Sequence, residues 1–482
     1  MSKLKGYLAL IILVISWVAL YWLTGSRTPW QEFAAGTGDK GISIHLGDIP
    51  TQNYDRMGFT KAVVRYAKSE QGWIVGTERG EIFLFDSKGK QLWKRTLGIG
   101  KLVSLCMSNA GDVAFVGEQS PEGKLYAISS HTGDILWQHK SSAYIGSDPS
   151  QRSYPSVVHI VVDKEDNIYA NSYRFLMTKD GVRAYNARML AVAKNGKMLW
   201  QFPQQEAMDS WINWCDVNDA NGRVVISTSA YDYRSDMHYK DTLYFIDKKS
   251  GLSIGSTFVP PVPPFDNTVM RGSPNFSSDG KYLAAACSDG RGFLFDGKGK
   301  ILWERFVSKP TQVDEAWINA SGRDGYVTDY GVIFSTINTY NRENWQLPTP
   351  VEHPSCNSVF VFDIQGKYRY QFRAEGTMEE LGFADKYMAC AVGRNVRTHN
   401  YKAHGGLVVD LETGKQVDFF PTEGPCQAIA ISDDGKQVAG VEAPAVTPKG
   451  KIIGAYRLHI WQRRGGVNYG EISKISTLLQ AL

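Results

Sequence analysis

Residues 123–137 read GKLYAISSHTGDILW, and this stretch carries the pattern that repeats along the chain. It combines an alternating strand, a polar turn centred on Gly133, and a second strand that ends in Leu-Trp. Such a turn is typical of a β-hairpin, because Gly tolerates the positive φ that a tight turn requires. The same plan returns at residues 80–93, 188–200 and 292–303, and in weaker form at 242–254, 358–370 and 406–418.

A further pair of short strands precedes these hairpins, as in CMSNAGDVAFVG (106–117) and FSSDGKYLAAACS (276–288). Four strands in each repeating unit are the signature of a propeller blade. The seven hairpins predict seven blades, and an eighth unit begins at Cys426 but lacks an outer strand. The alternating segment 41–46 could supply that strand and close the ring, which removes exposed sheet edges. We therefore predict an all-β fold, a single propeller of eight four-stranded blades over residues 41–465, with seven blades as the alternative.

The N-terminus predicts a membrane anchor. Residues 6–25 form an uncharged apolar stretch, long enough to cross ~30 Å of hydrocarbon as a helix. The exit from this stretch offers no convincing cleavage site, so we expect a retained anchor rather than a cleaved signal peptide. Lys3 and Lys5 precede the stretch and Arg27 follows it, which places the N-terminus in the cytoplasm.

These features divide the chain into five parts. Residues 1–5 form a cytoplasmic stub, 6–25 a single transmembrane span and 26–40 a linker. The propeller follows, in the periplasm or on the cell surface. Residues 466–482 carry apolar residues at helical spacing and predict a short helix.

Composition and motifs exclude several functions. A net charge of +4 gives no indication of a nucleic-acid partner. The six cysteines form no C-x-x-C pair and no disulfide pattern, and most lie in apolar runs where a thiol is a small buried hydrophobe. No serine-nucleophile elbow, zinc-protease motif or phosphate loop occurs. We therefore expect no catalytic residue and no metal ligand.

The repeat at 123–137 resembles that of the quinoprotein-dehydrogenase-like (PQQ-like) propellers, which usually have eight blades. WD40 propellers are related, but their Gly-His and Trp-Asp signatures are missing. The resemblance implies the architecture and leaves activity open, since the family contains both enzymes and binding modules. Its enzymes hold pyrroloquinoline quinone with calcium beneath an adjacent Cys-Cys disulfide, and no such Cys pair occurs here. We expect neither cofactor, although a PQQ-dependent dehydrogenase remains an alternative.

Binding residues are predicted on one face of the propeller, which we call the upper face. In a blade, the loop leading into the first strand and the loop joining the second and third strands lie on this face. The leading segments repeat the same residue types, Arg before blades three and five and Trp-Ile-Asn before blades four and six. They predict a ring around the channel mouth, although inherited packing between blades is an alternative. The ring consists of Arg152, Trp211, Asn213, Arg271, Trp317 and Asn319.

Five loops on the same face are long and rich in Tyr, Arg, Asn and Trp, which are enriched at binding surfaces. They add three candidate residues, Tyr340, Trp345 and Tyr401. These observations predict a membrane-anchored scaffold or accessory subunit that binds another envelope or membrane protein. A glycan- or small-ligand-binding module is the alternative. The loops are residues 171–187, 229–241, 338–357, 393–406 and 442–451.

Overall fold

The computed structural model describes residues 41–49, 62–177, 183–229, 238–341, 351–394, 404–447 and 449–463. The predicted cytoplasmic stub, transmembrane span, linker and C-terminal helix lie outside these residues. Within the described parts of the chain, no helix has both the length and the apolar character needed to cross a membrane.

The described residues form eight four-stranded antiparallel units, in which alternating apolar residues face the neighbouring sheets. The chain begins with β1 (Ile42–His45) and then builds the first four blades from the inner to the outer strand. Blade 1 contains β2 (Ala62–Ala67), β3 (Gly72–Thr77), β4 (Glu81–Asp86) and β5 (Gln91–Thr96). Blade 2 contains β6 (Lys101–Met107), β7 (Val113–Gln119), β8 (Lys124–Ser129) and β9 (Ile135–Lys140), followed by the short helix α1 (Ser142–Ile145). Blade 3 contains β10 (Ser156–Val162), β11 (Ile168–Met177), β12 (Arg183–Val192) and β13 (Met198–Phe202). Blade 4 contains β14 (Trp211–Asn218), β15 (Arg223–Ser229), β16 (Leu243–Asp247) and β17 (Ser253–Thr257).

The remaining four blades follow the same order. Blade 5 contains β18 (Asn275–Phe276), β19 (Tyr282–Ala286), β20 (Arg291–Asp296) and β21 (Ile301–Phe306). Blade 6 has the extra leading strand β22 (Thr311–Val313) before β23 (Ala316–Thr328), β24 (Gly331–Asn341), β25 (Ser358–Phe362) and β26 (Tyr368–Arg373). Blade 7 contains β27 (Met378–Ala384), β28 (Tyr387–Val392), β29 (Gly405–Asp410) and β30 (Lys415–Pro421). Blade 8 contains β31 (Cys426–Ile431), β32 (Gln437–Glu442), the small hairpin of β33 (Ala445–Val446) and β34 (Ile452–Ile453), and then β35 (Arg457–Gln462).

Strand β1 completes blade 8 as its outer strand. It pairs antiparallel with β35, so that Ile42 lies opposite Ile460 and Ile44 lies opposite Leu458. The Leu46 N–H extends the pairing by donating to the Tyr456 carbonyl over 2.9 Å. The predicted closing strand is therefore present, and the described residues contain eight blades rather than seven.

The hydrophobic core is divided among the contacts between blades. Seven buried clusters each join two blades that follow one another in the chain, and an eighth joins blade 8 to blade 1 through Val441 and Val64. Adjacent residues of one strand serve opposite neighbours: Val224 packs toward blade 3 and Val225 toward blade 5. This division follows from the two-residue period of a strand. The clusters therefore close the ring.

The Leu-Trp ending of the repeat connects neighbouring blades at their outer strands. Trp93 of β5 donates its indole N–H to the Ser130 carbonyl of blade 2 over 2.7 Å. Its ring lies against Gly133, where a Cβ atom would come within 2.8 Å of the indole. The repeated turn glycine and the terminal Trp therefore form one contact between neighbouring blades. The same bond recurs at Trp137, Trp200 and Trp303, and Tyr370 makes its equivalent to Leu411 in blade 7.

Candidate binding site at the upper face and central channel

Arg152 lies at the exposed tip of the loop that leads into blade 3. Asp148 and Ser153 hold the loop by two backbone hydrogen bonds of 3.0 and 2.9 Å. Arg152 has a φ of 52° between them, a left-handed conformation that turns the chain sharply. Its side chain is exposed, as the predicted ring requires.

Trp211 and Trp317 lie at the starts of first strands but are half-buried. The Trp211 ring packs against Tyr173 and Tyr185 of blade 3, with centroid separations of 5.0 and 5.9 Å. Trp317 lies opposite Gln312 of the extra strand β22. Trp211 therefore contributes to packing between blades 3 and 4, the alternative that the sequence left open.

The two asparagines of the ring hold the backbone around blade 5. The Asn213 amide donates to the Met270 carbonyl over 2.9 Å, and the Asn319 amide donates to the Ser288 carbonyl over 3.0 Å. Asn319 is only 1% exposed, so its expected position on an accessible rim is wrong: its pairing with Tyr340 of β24 and its bond to the Ser288 carbonyl place it inside the structure.

The other candidate residues divide between the rim and the undescribed loops. Arg271 is half-buried directly after Met270, and Tyr340 is half-buried opposite Asn319 in the pairing of β23 with β24. Trp345 and Tyr401 lie outside the described residues. The six ring residues are thus not equivalent, and Arg152 is the exposed member among them.

The first strands enclose the central channel, and six of them carry a register irregularity in their pairing with the second strand. A bulge adds a residue to one strand and redirects a side chain, and bulges are frequent next to functional sites. In this propeller they place half-buried residues along the channel wall. The irregularities fall between Leu102 and Ser104, Val157 and His159, Ile212 and Cys215, Ala320 and Gly322, Met378 and Glu380, and Cys426 and Ala428.

One side of the channel is charged. Arg65 of blade 1 forms a 2.7 Å ion pair with Glu380 of blade 7, so the two side chains span the first strand of blade 8. Glu380 also accepts the Ile429 N–H of that strand over 3.0 Å. Arg323 of blade 6 donates to the Met378 carbonyl over 2.9 Å. These charges therefore connect blades 6, 7, 8 and 1 around the channel.

The opposite side is aromatic and contains a histidine–cysteine pair. The rings of His159 and Trp214 stack with centroids 3.5 Å apart, and the Trp214 indole donates to Asn275 over 3.2 Å. His159 Nδ1 lies 3.3 Å from Cys215 Sγ.

A base next to a thiol is the arrangement of a cysteine nucleophile, which must ionise to react. Here burial, with the charge of Arg65, lowers the pKa of His159 to about 3. Burial also raises the pKa of Cys215 well above its usual range. Both groups are therefore neutral near pH 7, and the fully buried thiol is a packing residue rather than a nucleophile.

The described residues do not fit a PQQ–calcium centre. Such a centre needs carboxylate and amide oxygens that are free to bind the ion. The channel carboxylate Glu380 is paired with Arg65, Asp216 accepts two backbone N–H groups, and none of the six cysteines forms a disulfide.

One acidic group in the described parts of the chain has metal-site spacing, and it lies away from the channel. It consists of Asp163, Glu165 and Asp219. The Lys248 ammonium lies 3.1 Å from Asp163 and 3.2 Å from Glu165, and it contacts Asp219 as well. The lysine thus supplies the positive charge that a metal ion would bring.

The sequence analysis missed the channel residues Arg65, His159, Arg323 and Glu380. A signal existed, because AVVRYA and SVVHIVV each place one ionisable residue inside an apolar strand. What the sequence does not show is which strands of distant blades face each other across the channel. The ion pair between Arg65 and Glu380 joins residues 315 positions apart.

The ring of four-stranded units, closed by the N-terminal strand around a polar channel, defines a β-propeller. Residues 58–257 match the PQQ-like family model described as outer membrane protein assembly factor BamB. The match ends with the last strand of blade 4. Blades 1 to 4 are therefore similar to the PQQ-like propeller repeats of that family, as the sequence resemblance implied. No curated protein matches the chain at a significant level.

Solved propellers resemble the structure at low sequence identity. The C-terminal WD40 domain of Sif2 is 10% identical, with a TM-score of 0.53, and the match covers 90% of this chain and 100% of that domain. BamB from Moraxella catarrhalis is 15% identical, with a TM-score of 0.49 over 88% of this chain and 99% of BamB. At these identities the likeness to Sif2 supports the propeller fold and nothing about activity.

Proposed function

We propose that this protein is a membrane-tethered β-propeller outside the cytoplasm that binds another envelope protein through its upper face. The observation that carries the proposal is the match of blades 1 to 4 with the BamB family model. That model is described as an outer membrane assembly factor, and the proposal extends the same kind of role to this chain.

The chemistry of the channel supports binding rather than catalysis. Its charged side chains are bonded to one another or to the backbone of the next blade, as Arg65, Glu380 and Arg323 illustrate. Its thiol–imidazole pair is held neutral by burial. Such bonded side chains make the propeller rigid, and a rigid propeller is suited to presenting loops to a partner.

Arg152 is the residue that we expect a partner to contact first. It is exposed at the tip of a turn whose ends are fixed by hydrogen bonds. An exposed guanidinium at a fixed position is suited to paired hydrogen bonds with a partner carboxylate. The uncharged stretch 6–25 supplies the proposed tether, with the N-terminus in the cytoplasm.

Co-purification from membranes tests the proposal. The tagged full chain is extracted in mild detergent, and co-purifying proteins are identified by mass spectrometry. Arg152→Ala should reduce recovery of the partner at least tenfold while leaving the Tm unchanged, because the side chain is exposed. Arg95→Ala removes an exposed arginine from the outer strand of blade 1 and is the matched control. A chain that always purifies alone, or equal losses with both variants, would contradict the proposal.

A further inference from the structure

A second candidate site lies on the upper face between blades 4 and 5. It is a cavity of about 180 Å³ bounded by the ends of β15 and β16 and by the long loop that leads into blade 5. Thr228 comes from β15, Lys240 and Thr242 come from the segment just before β16, and residues 258–268 supply the remaining walls. The channel lies on the inner side of these strands, so the cavity is separate from it.

The walls of this cavity are rigid. The Thr228 N–H donates to the Thr242 carbonyl over 3.0 Å, and the Val259 N–H donates to the Thr242 hydroxyl over 2.9 Å. At the other end of the loop, Val269 and Ser288 exchange hydrogen bonds of 3.0 and 2.8 Å. Four prolines in the segment PPVPP (260–264) fix their own φ angles. A ligand would therefore find the cavity already formed, which lowers the entropy lost on binding.

The lining combines an aromatic wall with hydrogen-bonding groups. Phe258 keeps 47% of its surface exposed, which is high for a large apolar ring, whereas Val259 beside it is 1% exposed. Asp266 and Asn267 also line the cavity. The Thr228 hydroxyl already donates to the Asp241 carbonyl over 2.6 Å, so its oxygen is left to accept from a ligand.

The charges of the lining are balanced, because Lys240 contributes one ammonium and Asp266 one carboxylate. A cavity with no net charge disfavours anions and cations and favours a neutral ligand. Its volume of about 180 Å³ is room for one six-membered ring with its hydroxyls. The apolar side of such a ring would lie on Phe258, and its hydroxyls would reach Asp266, Asn267 and the threonines.

We propose that this cavity binds a neutral, hydroxyl-rich ring of monosaccharide size. The site is independent of the proposed protein partner, because the cavity lining contains neither Arg152 nor any residue of its turn. Loss of sugar binding would leave the scaffold role intact, and loss of the partner would leave the cavity intact.

Calorimetric titration of the purified full chain tests this site, with glucose and N-acetylglucosamine as probes. At least one should bind with a Kd of about 1 mM, a free energy near −4 kcal/mol. Phe258→Ala should weaken that binding at least tenfold, because it removes the stacking surface, and Asn267→Ala should weaken it as well. Phe306→Ala is the matched control, since Phe306 is also 47% exposed but lies on the outer strand β21. It should leave the affinity unchanged.

Three results would overturn the proposal. The first is an absence of heat change with both sugars at concentrations of about 50 mM, far above the expected Kd. The second is an equal affinity of the Phe258→Ala and Phe306→Ala variants. The third is tighter binding of alanine or acetate than of either sugar, which would assign the cavity to a charged ligand. Melting temperatures within 1–2 °C of the unsubstituted protein establish that the variants are folded.

Discussion

Asp216 and Glu380 occupy similar places on the first strands of blades 4 and 7. Each accepts a backbone N–H from the first strand of the next blade, Asp216 from Phe276 over 2.6 Å and Glu380 from Ile429 over 3.0 Å. Glu380 also has Arg65 beside it. For Asp216, burial outweighs its two backbone hydrogen bonds and raises its pKa to about 7. Asp216 has no cationic side chain among the causes of its shift, so burial is the dominant effect on its carboxyl group.

The raised pKa of Asp216 predicts a pH-dependent stability. Unfolding returns the carboxyl to its ordinary pKa near 3.8, so between about pH 4 and 7 the folded state binds more protons. The group's contribution is therefore full below pH 4 and is lost as the pH rises through 7. Asp216→Asn should remove this dependence. The Tm advantage of the unsubstituted protein over the variant should shrink between pH 5 and pH 8.

Asp363→Asn is the control for the Asp216 experiment. Asp363 also accepts two backbone N–H groups, over 3.0 and 2.8 Å, but it does so in a hairpin turn of blade 6. The Tm of Asp363→Asn therefore measures the effect of losing such backbone hydrogen bonds at a site away from the channel. A Tm difference for Asp216→Asn that stays constant from pH 5 to pH 8 would refute the assigned pKa.

The cysteines predict the reactivity of the native protein. Five of the six are fully buried, and burial raises the pKa of Cys106, the half-buried one, to about 11. Thiolates are the reactive species, so native alkylation should be very slow. Iodoacetamide at pH 7.5 should leave the native mass unchanged and add six labels in denaturant. Rapid native labelling would show that the channel wall opens, and fewer than six labels after unfolding would reveal a disulfide.

At the scale of elements, the outer strands hold neighbouring blades together through one repeated contact. Trp93 is 7% exposed although its own strand lies at the rim, because blade 2 covers it. Leu92, the preceding residue, is 45% exposed on the other face of the same strand. In the Leu-Trp pair, Leu92 therefore faces the solvent and Trp93 packs against blade 2, because successive residues of a strand point to opposite faces.

Removing a docking tryptophan should destabilise the propeller. Trp93→Ala leaves a buried cavity and should lower the free energy of unfolding by about 3–5 kcal/mol. Trp93→Phe keeps most of the packing, loses the hydrogen bond to Ser130 and should cost about 1 kcal/mol. Leu92→Ala, on the same strand, should change stability by less than about 0.5 kcal/mol. Urea unfolding measures all three, and a Trp93→Ala loss as small as that of Leu92→Ala would contradict the docking role.

The strands also show which parts of the fold can be predicted from the sequence and which cannot. Hairpins such as 123–137 and the closing strand at 41–46 were predictable, because strand alternation and turn glycines are local features. The channel was not, since its wall depends on bulges and on contacts such as Arg65 with Glu380, whose strands meet only in the closed ring. The burial of Asn319 was not predictable either, because its bond to Ser288 of blade 5 is a contact between blades that the repeat does not show.

At the scale of the whole molecule, stability depends on closure. Eight clusters each require both neighbouring blades, so no blade completes its core alone. Blade 8 in addition takes its outer strand from the other end of the propeller domain. Ile42 of that strand lies over Gly89 of blade 1, in the place that a docking Trp takes elsewhere. The first and last blades are thereby joined twice, through the core cluster and through β1.

Removal of the closing strand should therefore open the ring. A chain that starts at residue 50 loses β1 together with Leu46 and Ile49, which are each 3% exposed in the cluster between blades 8 and 1. Burial of two such side chains contributes roughly 3–6 kcal/mol, and the loss also leaves β35 as an unpaired edge. This chain should melt at lower temperature and form concentration-dependent aggregates in size-exclusion chromatography, whereas a chain that starts at residue 41 should do neither.

If the shorter chain cannot be recovered, Ile44→Lys in the longer one tests the same contact, because Ile44 packs against that cluster. Equal melting temperatures for the chains that start at residues 41 and 50 would mean that the contacts between blades close the ring without β1.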